Sequence, residues 1–410
     1  MISAPLFIQK TLFLLAFVVI ANSLSIPALR EKRGSSSFIK LDFQITRSQS
    51  KSTLDLTSTN EVSFKIVKDA KRDGSDPVQI QNAKSFYYAE LLLGSNKQKN
   101  GVVVDTGSSD LWVVASGAQC NANTSCDAYG SYNASLSSTS KKLNETFSIE
   151  YVDQTTSLGP FYKDNIGFSG GGTGVTGLQF GDCNTTSSDI GVLGIGFKSG
   201  ESTKNEYDNL PALLASQGVI PKNAYSLYLA KSTDATGTII FGGIDEAKYS
   251  GDLVSLPIQS NDSVAVDLNG FTTSNGKVDF TGDSIILDSG TTLALLPSAT
   301  LSSLASSLGA SYLAADELYE IDCNTGNKTF TVNFPGVDIK VPLSDVVVSL
   351  YNSDGSKADI CALGIESDEQ YHLFGDIFLR NMYLVYDLDD KEILIAQVKY
   401  TTDENIQEIS

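Results

Sequence analysis

The chain alternates short apolar runs with polar, turn-forming residues through most of its length. The runs at 86–93, 237–243 and 383–387 are rich in β-branched and aromatic residues and are bounded by Gly, Asn, Asp or Ser, which is typical of β-strands. Helical signals are few: residues 210–218 have a proline near the start and a glycine at the end, and residues 297–304 are a second candidate. The pattern predicts a mainly β body.

Two apolar runs end on an acid, about half a chain apart. VVVDTGSS spans 102–109 and SIILDSGTT spans 284–292, so each half carries a strand followed by Asp-Thr/Ser-Gly. One such triplet has little weight, because Asp and Gly are common in turns. Two copies at matching points predict two similar lobes whose turns meet near an approximate twofold axis. The alternative, two hairpin turns with surface acids, leaves the preceding buried-type strands unexplained.

If the two carboxyl groups face each other, the pair can carry out acid–base catalysis. Two like charges within about 3 Å cannot both ionise, so Asp105 and Asp288 would share one proton, as paired catalytic aspartates do. The pair then offers a general base for a bound water and a general acid for a carbonyl oxygen. The neighbouring residues have supporting roles. Gly107 and Gly290 let the backbone approach the carboxylates and donate N–H groups. The hydroxyls of Thr106 and Ser289 can join the two loops, and those of Ser108 and Thr291 can orient the outer carboxylate oxygens.

The N-terminal residues indicate targeting and processing. Lys10 precedes an apolar run at 11–21, and Ala21-Asn22-Ser23 offers small residues for cleavage, so residues 1–23 are predicted to be a signal peptide rather than a buried helix. A stretch with many Lys and Arg follows as far as Lys71-Arg72. We interpret 24–72 as a pro-segment that ends at this dibasic site, and 73–410 as the mature body.

Composition excludes several function classes. The net charge of −19 argues against a nucleic-acid partner. No second long apolar run exists, so we expect no membrane anchor. His372 is the only histidine, and C-x-x-C, H-E-x-x-H and G-x-S-x-G are absent, so we expect no metal, no cofactor and no Ser or Cys nucleophile.

Cysteines and sequons fit the secretory route. Five cysteines suggest two disulfides: Cys120 and Cys126 can close a small loop, Cys323 and Cys361 a longer one, and Cys183 is left as a partly buried, unpaired cysteine. Asn-x-Ser/Thr triplets, the candidates for glycosylation, begin at Asn123, Asn133, Asn144, Asn184, Asn261 and Asn327.

Five motifs resemble those of a known family. They are VVVDTGSSDLWV at 102–113, ILDSGTT at 286–292, and the segments 191–197, 237–245 and 373–380. Together they resemble the pepsin-like aspartic proteases, most closely the secreted yeast candidapepsins, over essentially all of 73–410. The resemblance implies a mainly β, bilobal pepsin-like acid protease fold, with pseudo-twofold-related β lobes at 73–245 and 246–410 and a cleft between them.

The resemblance also assigns roles around the cleft. Asp105 and Asp288 would be the catalytic dyad, and residues 147–155 the flap that closes over substrate. Tyr151 would be the flap tyrosine, bonded to the indole N–H of Trp112. Further residues would contact substrate, either at the subsite before the scissile bond or through the substrate backbone: Val103, Tyr151, Val152, Asp153, Val192, Gly290, Thr291 and Thr292.

Three positions depart from the family pattern. Val152 and Gln154 stand where relatives usually have glycine in the flap, and Leu295 stands where close relatives often carry tyrosine. A β-branched residue tolerates positive φ poorly, so we expect the flap tip to adopt another turn or to move less freely, and we expect an altered or narrower substrate preference.

The expected function is a secreted aspartic endopeptidase, made as a zymogen, that cuts beside hydrophobic residues at acidic pH. Its expected partners are extended peptides, pepstatin-type inhibitors and its own pro-segment, and we expect a monomer, extracellular or retained near the cell wall. Residues 1–72 carry 11 Lys/Arg against 5 Asp/Glu, so the basic pro-segment can pair with the acidic body until acid weakens the pairing. The alternative is a catalytically weak homologue that binds peptides, glycan or inhibitor in the same cleft.

Overall fold

The computed structural model describes residues 38–47, 63–66, 80–81, 85–120, 125–151, 155–169, 174–231, 236–314, 317–351 and 357–409. The predicted signal peptide and the Lys71-Arg72 site lie outside the described residues, as do Asn123, Val152, Asp153 and Gln154.

Strands make up most of the described chain, as the apolar runs predict. The strands, in chain order, are β1 (Ile39–Arg47), β2 (Ser63–Ile66), β3 (Ile80–Gln81), β4 (Ser85–Leu93), β5 (Gln98–Asp105), β6 (Leu111–Cys120), β7 (Lys141–Glu150), β8 (Thr156–Phe168), β9 (Val175–Thr186), β10 (Gly191–Gly194), β11 (Ala224–Leu229), β12 (Thr236–Phe241), β13 (Gly243–Asp245), β14 (Tyr249–Pro257), β15 (Ala265–Val266), β16 (Gly270–Thr273), β17 (Gly276–Asp279), β18 (Ile285–Leu287), β19 (Ala294–Leu296), β20 (Ser311–Leu313), β21 (Leu318–Ile321), β22 (Thr329–Phe334), β23 (Val337–Pro342), β24 (Val347–Tyr351), β25 (Lys357–Leu363), β26 (Ile365–Ser367), β27 (Leu373–Phe374), β28 (Met382–Asp387), β29 (Glu392–Val398) and β30 (Ile406–Glu408).

Helices are short and few among these residues. The α-helices are α1 (Leu210–Ser216), α2 (Ser298–Leu308) and α3 (Asp376–Leu379), and 3₁₀ turns span Ala134–Leu136, Lys198–Gly200, Glu246–Lys248 and Leu343–Asp345. Two of the α-helices lie where the sequence predicts them. Helix α1 begins after Asn209, whose side chain accepts the N–H of Ala212, and has proline in its first turn. Helix α3 was not predicted.

The largest sheet joins strands from both halves of the chain. Its thirteen strands run in the order β14-β29-β28-β11-β12-β1-β4-β5-β10-β6-β9-β8-β7. Strand β1, from the predicted pro-segment, is antiparallel to β12 and β4, with Ile39 opposite Phe241 and Gln44 opposite Tyr88. The smaller sheets have the orders β15-β18-β27-β19-β26, β17-β16-β22-β23, β20-β21-β25-β24-β2-β3 and β13-β30.

The same strand arrangement occurs once around each Asp-Thr/Ser-Gly turn. Strand β10 runs parallel to β5, placing Gly194 opposite Asp105, and is antiparallel to β6. Strand β27 runs parallel to β18, placing Phe374 opposite Leu287, and is antiparallel to β19. The half-length repeat in the sequence is therefore a repeat in the structure, and the expected bilobal pepsin-like fold is confirmed.

Strand β5 explains how an acid comes to be buried. Val102, Val103 and Val104 are 0%, 8% and 0% exposed, because β5 lies inside the sheet with both faces covered. Asp105 is the last residue of this strand. The chain thus carries its carboxyl group into the interior with the valines.

Both expected disulfides are present. Cys120 bonds Cys126 and Cys323 bonds Cys361, while Cys183 is a buried free thiol. Burial raises the pKa of Cys183 well above its usual range. Among the described residues, no helix is long and apolar enough to cross a membrane.

Candidate active site

The two half-chain aspartates meet in the interior. Asp105 and Asp288 are 6% and 8% exposed, and their carboxyl groups are hydrogen-bonded to each other. A Cβ added to Gly107 would lie 2.6 Å from Oδ1 of Asp288, and one on Gly290 would lie 2.4 Å from Oδ1 of Asp105. Each turn therefore packs its glycine against the opposite carboxyl group, where no side chain fits.

Each aspartate is oriented by the second and third residues after it in the sequence. The Gly107 N–H donates to Oδ1 of Asp105 at 2.8 Å, and the Ser108 hydroxyl donates to the outer oxygen. The second loop repeats both bonds, from the Gly290 N–H at 2.8 Å and from the Thr291 hydroxyl at 2.6 Å. Each carboxyl group thus has one donor on each of its two oxygens, and this fixes the plane of the carboxyl group.

A reciprocal set of hydrogen bonds holds the two loops together. The Thr106 hydroxyl donates to the Leu287 carbonyl at 2.8 Å, and the Ser289 hydroxyl donates to the Val104 carbonyl at 2.9 Å. Each hydroxyl oxygen also accepts the partner's backbone N–H, at 3.0 Å from Ser289 and 3.2 Å from Thr106. These four bonds span the centre of the site and fix the spacing of the aspartates. We call them the loop clamp.

The environment favours one retained proton on the pair. Burial, followed by the charge of Asp288, raises the pKa of Asp105 well above its usual range. The hydrogen bonds from Ser108 and Gly107 oppose this shift only in part. Since the carboxyl groups are in contact, the proton belongs to the pair rather than to either residue. Such a pair can accept and donate protons in the same turnover.

The predicted flap is a hairpin of β7 and β8. Glu150 pairs with Thr156, and the Tyr151 N–H donates to the Thr155 carbonyl at 2.9 Å. The indole N–H of Trp112 donates to the Tyr151 hydroxyl oxygen at 2.8 Å. Burial and the nearby charge of Asp105 raise the pKa of Tyr151, so the phenol stays neutral and remains able to donate. Val152, Asp153 and Gln154, for which we predict an altered flap tip and substrate contacts, lie outside the described residues.

The structure places the predicted subsite residues around these loops. Val192 lies opposite Val103 on one side and opposite Trp112 on the other, which makes a continuous apolar strip beside Asp105. The carbonyl groups of Thr291 and Thr292 accept the first backbone N–H groups of α3, at 2.9 Å and 3.2 Å. Helix α3 therefore supports the loop of Asp288 from behind.

Sequence reasoning missed two buried acids near the site. Asp110 is 0% exposed and accepts the hydroxyl of Tyr207 at 2.6 Å; these residues lie far apart in the chain, and no local pattern connects them. Asp376 is 2% exposed, in the same short helical turn as the buried Arg380. In this second case an acid and a base four residues apart within an apolar run were a readable signal.

One group of acids in the described chain is close enough to hold a cation. It comprises Asp387, Asp390 and Glu392. The Lys222 ammonium already binds the first two, at 2.6 Å and 2.5 Å. The lysine supplies the positive charge that a metal ion would bring.

The paired aspartates and the two loops can now be compared with known proteins. The sequence model of the family described as "Eukaryotic aspartyl protease" matches residues 86–398. This chain belongs to that family. As an aspartyl protease it is an aspartic-type endopeptidase, a member of a family that acts on peptides and is generally sensitive to pepstatin.

Similar proteins resemble this aspartyl protease along almost its whole length. A candidapepsin of Candida tropicalis is 40% identical, with 98% of each chain covered. Secreted aspartic protease 3 of Candida albicans is 42% identical, over 91% of this chain and 93% of the relative. Secreted aspartic protease 8 of Candida albicans is 41% identical, with 99% of each chain covered. The resemblance that the sequence motifs suggest is confirmed.

Proposed function

We propose that this aspartyl protease is secreted as an inactive precursor and uses Asp105 and Asp288 to hydrolyse peptide bonds beside hydrophobic residues at acidic pH. The observation that carries the proposal is the contact between two buried carboxyl groups, each held by its own amide and hydroxyl donors.

The proposed reaction uses the pair as base and acid. The ionised carboxylate takes a proton from a water molecule, whose oxygen bonds to the scissile carbonyl carbon. The protonated carboxyl gives its proton to the carbonyl oxygen, so a neutral diol forms. The carboxyl that took the proton of water then gives it to the nitrogen, while the other carboxylate takes a proton from one hydroxyl of the diol. The C–N bond breaks, an acid and an amine leave, and the pair again holds one proton. The loop clamp keeps both carboxyl groups at the required spacing.

Acidic operation follows from the shared proton. The raised pKa of Asp105 keeps this proton on the pair over a range in which isolated carboxyl groups are ionised. Loss of the proton at higher pH removes the general acid, and gain of a second at very low pH removes the base. We therefore expect a bell-shaped dependence of kcat/KM on pH.

Hydrophobic preference is supported by the side chains next to Asp105. Val103, Val192 and the ring of Tyr151 form an apolar wall there, while the flap hairpin offers backbone groups to an extended peptide. Roles in substrate contact for Val152 and Asp153, and for Gly290, Thr291 and Thr292, remain predictions.

The precursor proposal is supported by strand β1. This strand of the proposed pro-segment occupies a place inside the main sheet between β12 and β4. Its Lys40 forms ion pairs with Glu404 and, at 3.5 Å, with Asp42. Of these two acids, Glu404 belongs to the body and Asp42 to the pro-segment itself. Acidification weakens the pair with Glu404, because a protonated carboxyl group no longer attracts lysine.

Secretion is supported by the two disulfides and by the names of the relatives, which describe secreted proteases. Among the sequons in the described residues, Asn144, Asn184, Asn261 and Asn327 are exposed, so glycans have room there. Asn133 is partly buried and its side chain accepts the N–H and hydroxyl of Ser135.

The test is cleavage of denatured globin by the secreted protein, across pH 2 to 8 and with pepstatin added. We expect acid-dependent cleavage that pepstatin abolishes and that an Asp105→Asn variant lacks. If no pepstatin-sensitive activity appeared after removal of residues 1–72, the proposal would fail, and the peptide-binding alternative would take its place.

A further inference from the structure

A buried pair of acids outside the dyad joins the segment between β10 and α1 to the residue that precedes β6. Glu201 and Asp110 are 9% and 0% exposed. Asp110 accepts the Ser202 N–H at 2.7 Å and the Tyr207 hydroxyl at 2.6 Å. Glu201 accepts the backbone N–H of Tyr207 through Oε2 at 2.8 Å. One tyrosine thus serves both acids, and residues 201–207 fold back over the strand that follows the first catalytic loop.

The same segment holds the base of the flap hairpin. Thr203 and Asn205 donate to the two carboxylate oxygens of Glu145, at 3.1 Å and 2.5 Å. Glu145 belongs to β7, at the point where β7 bulges away from β8. The ring of Tyr207 lies edge-on to Phe161 of β8, with 5.9 Å between ring centres. The segment therefore joins Asp110 to both strands of the flap.

Glu201 is poorly suited to carry a charge in this position. Among the described residues, its buried Oε1 has no hydrogen-bond partner. The groups that face it are the acids Asp110 and Glu206 and one base, Lys198, whose ammonium lies 3.6 Å from Asp208. An ionised Glu201 would be a buried, half-satisfied charge beside another carboxyl group. Burial, the largest cause, raises the pKa of Glu201 to about 8.

We propose that Glu201 is a positioning residue for the flap: its neutral form holds residues 201–207 closed against Asp110 and β7, and its ionisation releases the segment and the base of the hairpin. This sets an upper pH limit on substrate binding that is separate from the titration of the dyad. The proposal rests on the peptidase activity of the family and not on the assignment of the catalytic residues.

The direction of the pH effect follows from linkage. In the released segment Glu201 is solvated and its pKa returns to the usual value of about 4.5, whereas the closed segment keeps the proton up to about pH 8. Between these values the ratio of closed to released forms falls by up to about tenfold for each pH unit. Below pH 4.5 and above pH 8 the ratio is constant.

Steady-state kinetics on the activated enzyme test the proposal. Glu201→Gln keeps an acceptor for the Tyr207 N–H and cannot ionise. Glu408→Gln is the control, because Glu408 is an exposed glutamate of β30 whose charge is not among those that act on Glu201. We expect Glu201→Gln to match wild-type kcat/KM within about twofold at pH 4 and to exceed it by about tenfold or more at pH 7, through a lower KM. The control should follow the wild type throughout. Superimposable profiles for Glu201→Gln and wild type would overturn the proposal.

Hydrogen exchange on the wild-type protein gives a second test that needs neither a variant nor activity. After correction for the intrinsic pH dependence of exchange, amides in 201–208 and 141–150 should lose protection between pH 5 and pH 8, while those of β28 keep theirs. Unchanged protection in both segments would refute the release step. If the protein showed no peptidase activity at all, this experiment would still report on Glu201, so failure of the proposed function and failure of this inference are distinguishable.

Discussion

The two aspartate loops have matching inner contacts and different surroundings. Both carry the same amide and hydroxyl donors, and the loop clamp treats them alike. Behind the loop of Asp288 lies Asp376. The side chain of the buried Arg380 donates to the backbone carbonyl of Asp376 at 3.0 Å. In the N-terminal half, the buried acids Asp182 and Glu201 have exposed lysines, Lys142 and Lys198, as their opposing charges. Burial still raises the pKa of Asp376, so both halves are sensitive to pH. They differ in the cation beside the extra acid, which is buried in the C-terminal half and exposed in the N-terminal half.

Neutralising either member of the dyad gives the largest expected effect. Asp105→Asn and Asp288→Asn keep the side-chain shape but cannot share a proton, so each should lower kcat by at least about 10³-fold, to similar residual rates. Single-turnover cleavage of a quenched peptide at pH 4 measures this, with Asp283→Asn as an exposed control. Wild-type rates in either variant would show that the two loops are not chemically equivalent.

The effect of a buried acid without a buried cation beside it is tested at Asp182. Burial raises its pKa to about 7, whereas the unfolded chain loses this proton near pH 4. The folded state therefore binds the extra proton between these values, and the free energy of unfolding falls as pH rises from about 4 to 7. Asp182→Asn removes this loss and should stabilise the protein by on the order of 3 kcal/mol at pH 7, with little effect at pH 3.

Thermal unfolding at both pH values measures the effect, with Asp252→Asn, an exposed acid of the C-terminal half, as control. Equal stabilisation by Asp182→Asn at pH 3 and pH 7 would indicate a packing effect and remove the proposed asymmetry between the halves.

The inner, symmetric part of the site could be predicted from the sequence. The strand before each turn, the two acids and the hydroxyl residues beside them are local patterns, and their duplication indicates that they meet. The surroundings could not be predicted in this way. Tyr207 reaches Asp110, and β28 pairs with β11, only because strands distant in sequence lie side by side, and local patterns do not encode such pairing.

Two further features were missed for other reasons. Helix α3 spans only four residues in an apolar run that reads equally well as a strand, because short runs do not distinguish the two periods. The pro-segment was predicted from its charge and its dibasic end. Its strand β1 inside the main sheet was not, since the partners of β1 lie at 85–93 and 236–241.

Substitutions in the loop clamp test, with a smaller expected effect, whether the two aspartate loops are equivalent. Thr106→Val removes the hydroxyl while keeping the shape, so the buried Ser289 N–H loses its acceptor, whereas the Leu287 carbonyl keeps the hydroxyl of Tyr386 at 3.0 Å. We expect a loss of about 1–3 kcal/mol in the free energy of unfolding. Thr106→Ser should restore most of it.

Adding Tyr386→Phe to Thr106→Val removes both side-chain donors of the Leu287 carbonyl. The combined loss should exceed the sum of the single losses, as a double-mutant cycle in urea would show. Strict additivity would mean that the two hydroxyl groups do not share this carbonyl in solution.

A substitution in the flap has the smallest expected effect, and it concerns only the loop of Asp105. Tyr151→Phe removes the acceptor of the Trp112 indole N–H, and an unmade buried hydrogen bond of this kind costs about 1 kcal/mol. Because Tyr151 lies beside Asp105 and follows β7, the edge strand of the main sheet, we expect kcat/KM to fall about fivefold through a higher KM, with the melting temperature nearly unchanged. Tyr371→Phe, at an exposed tyrosine of the C-terminal half, should leave both quantities unchanged. A fall in kcat with an unaltered KM would instead place the tyrosine hydroxyl in the chemical step, and the asymmetry between the loops would then extend to the reaction itself.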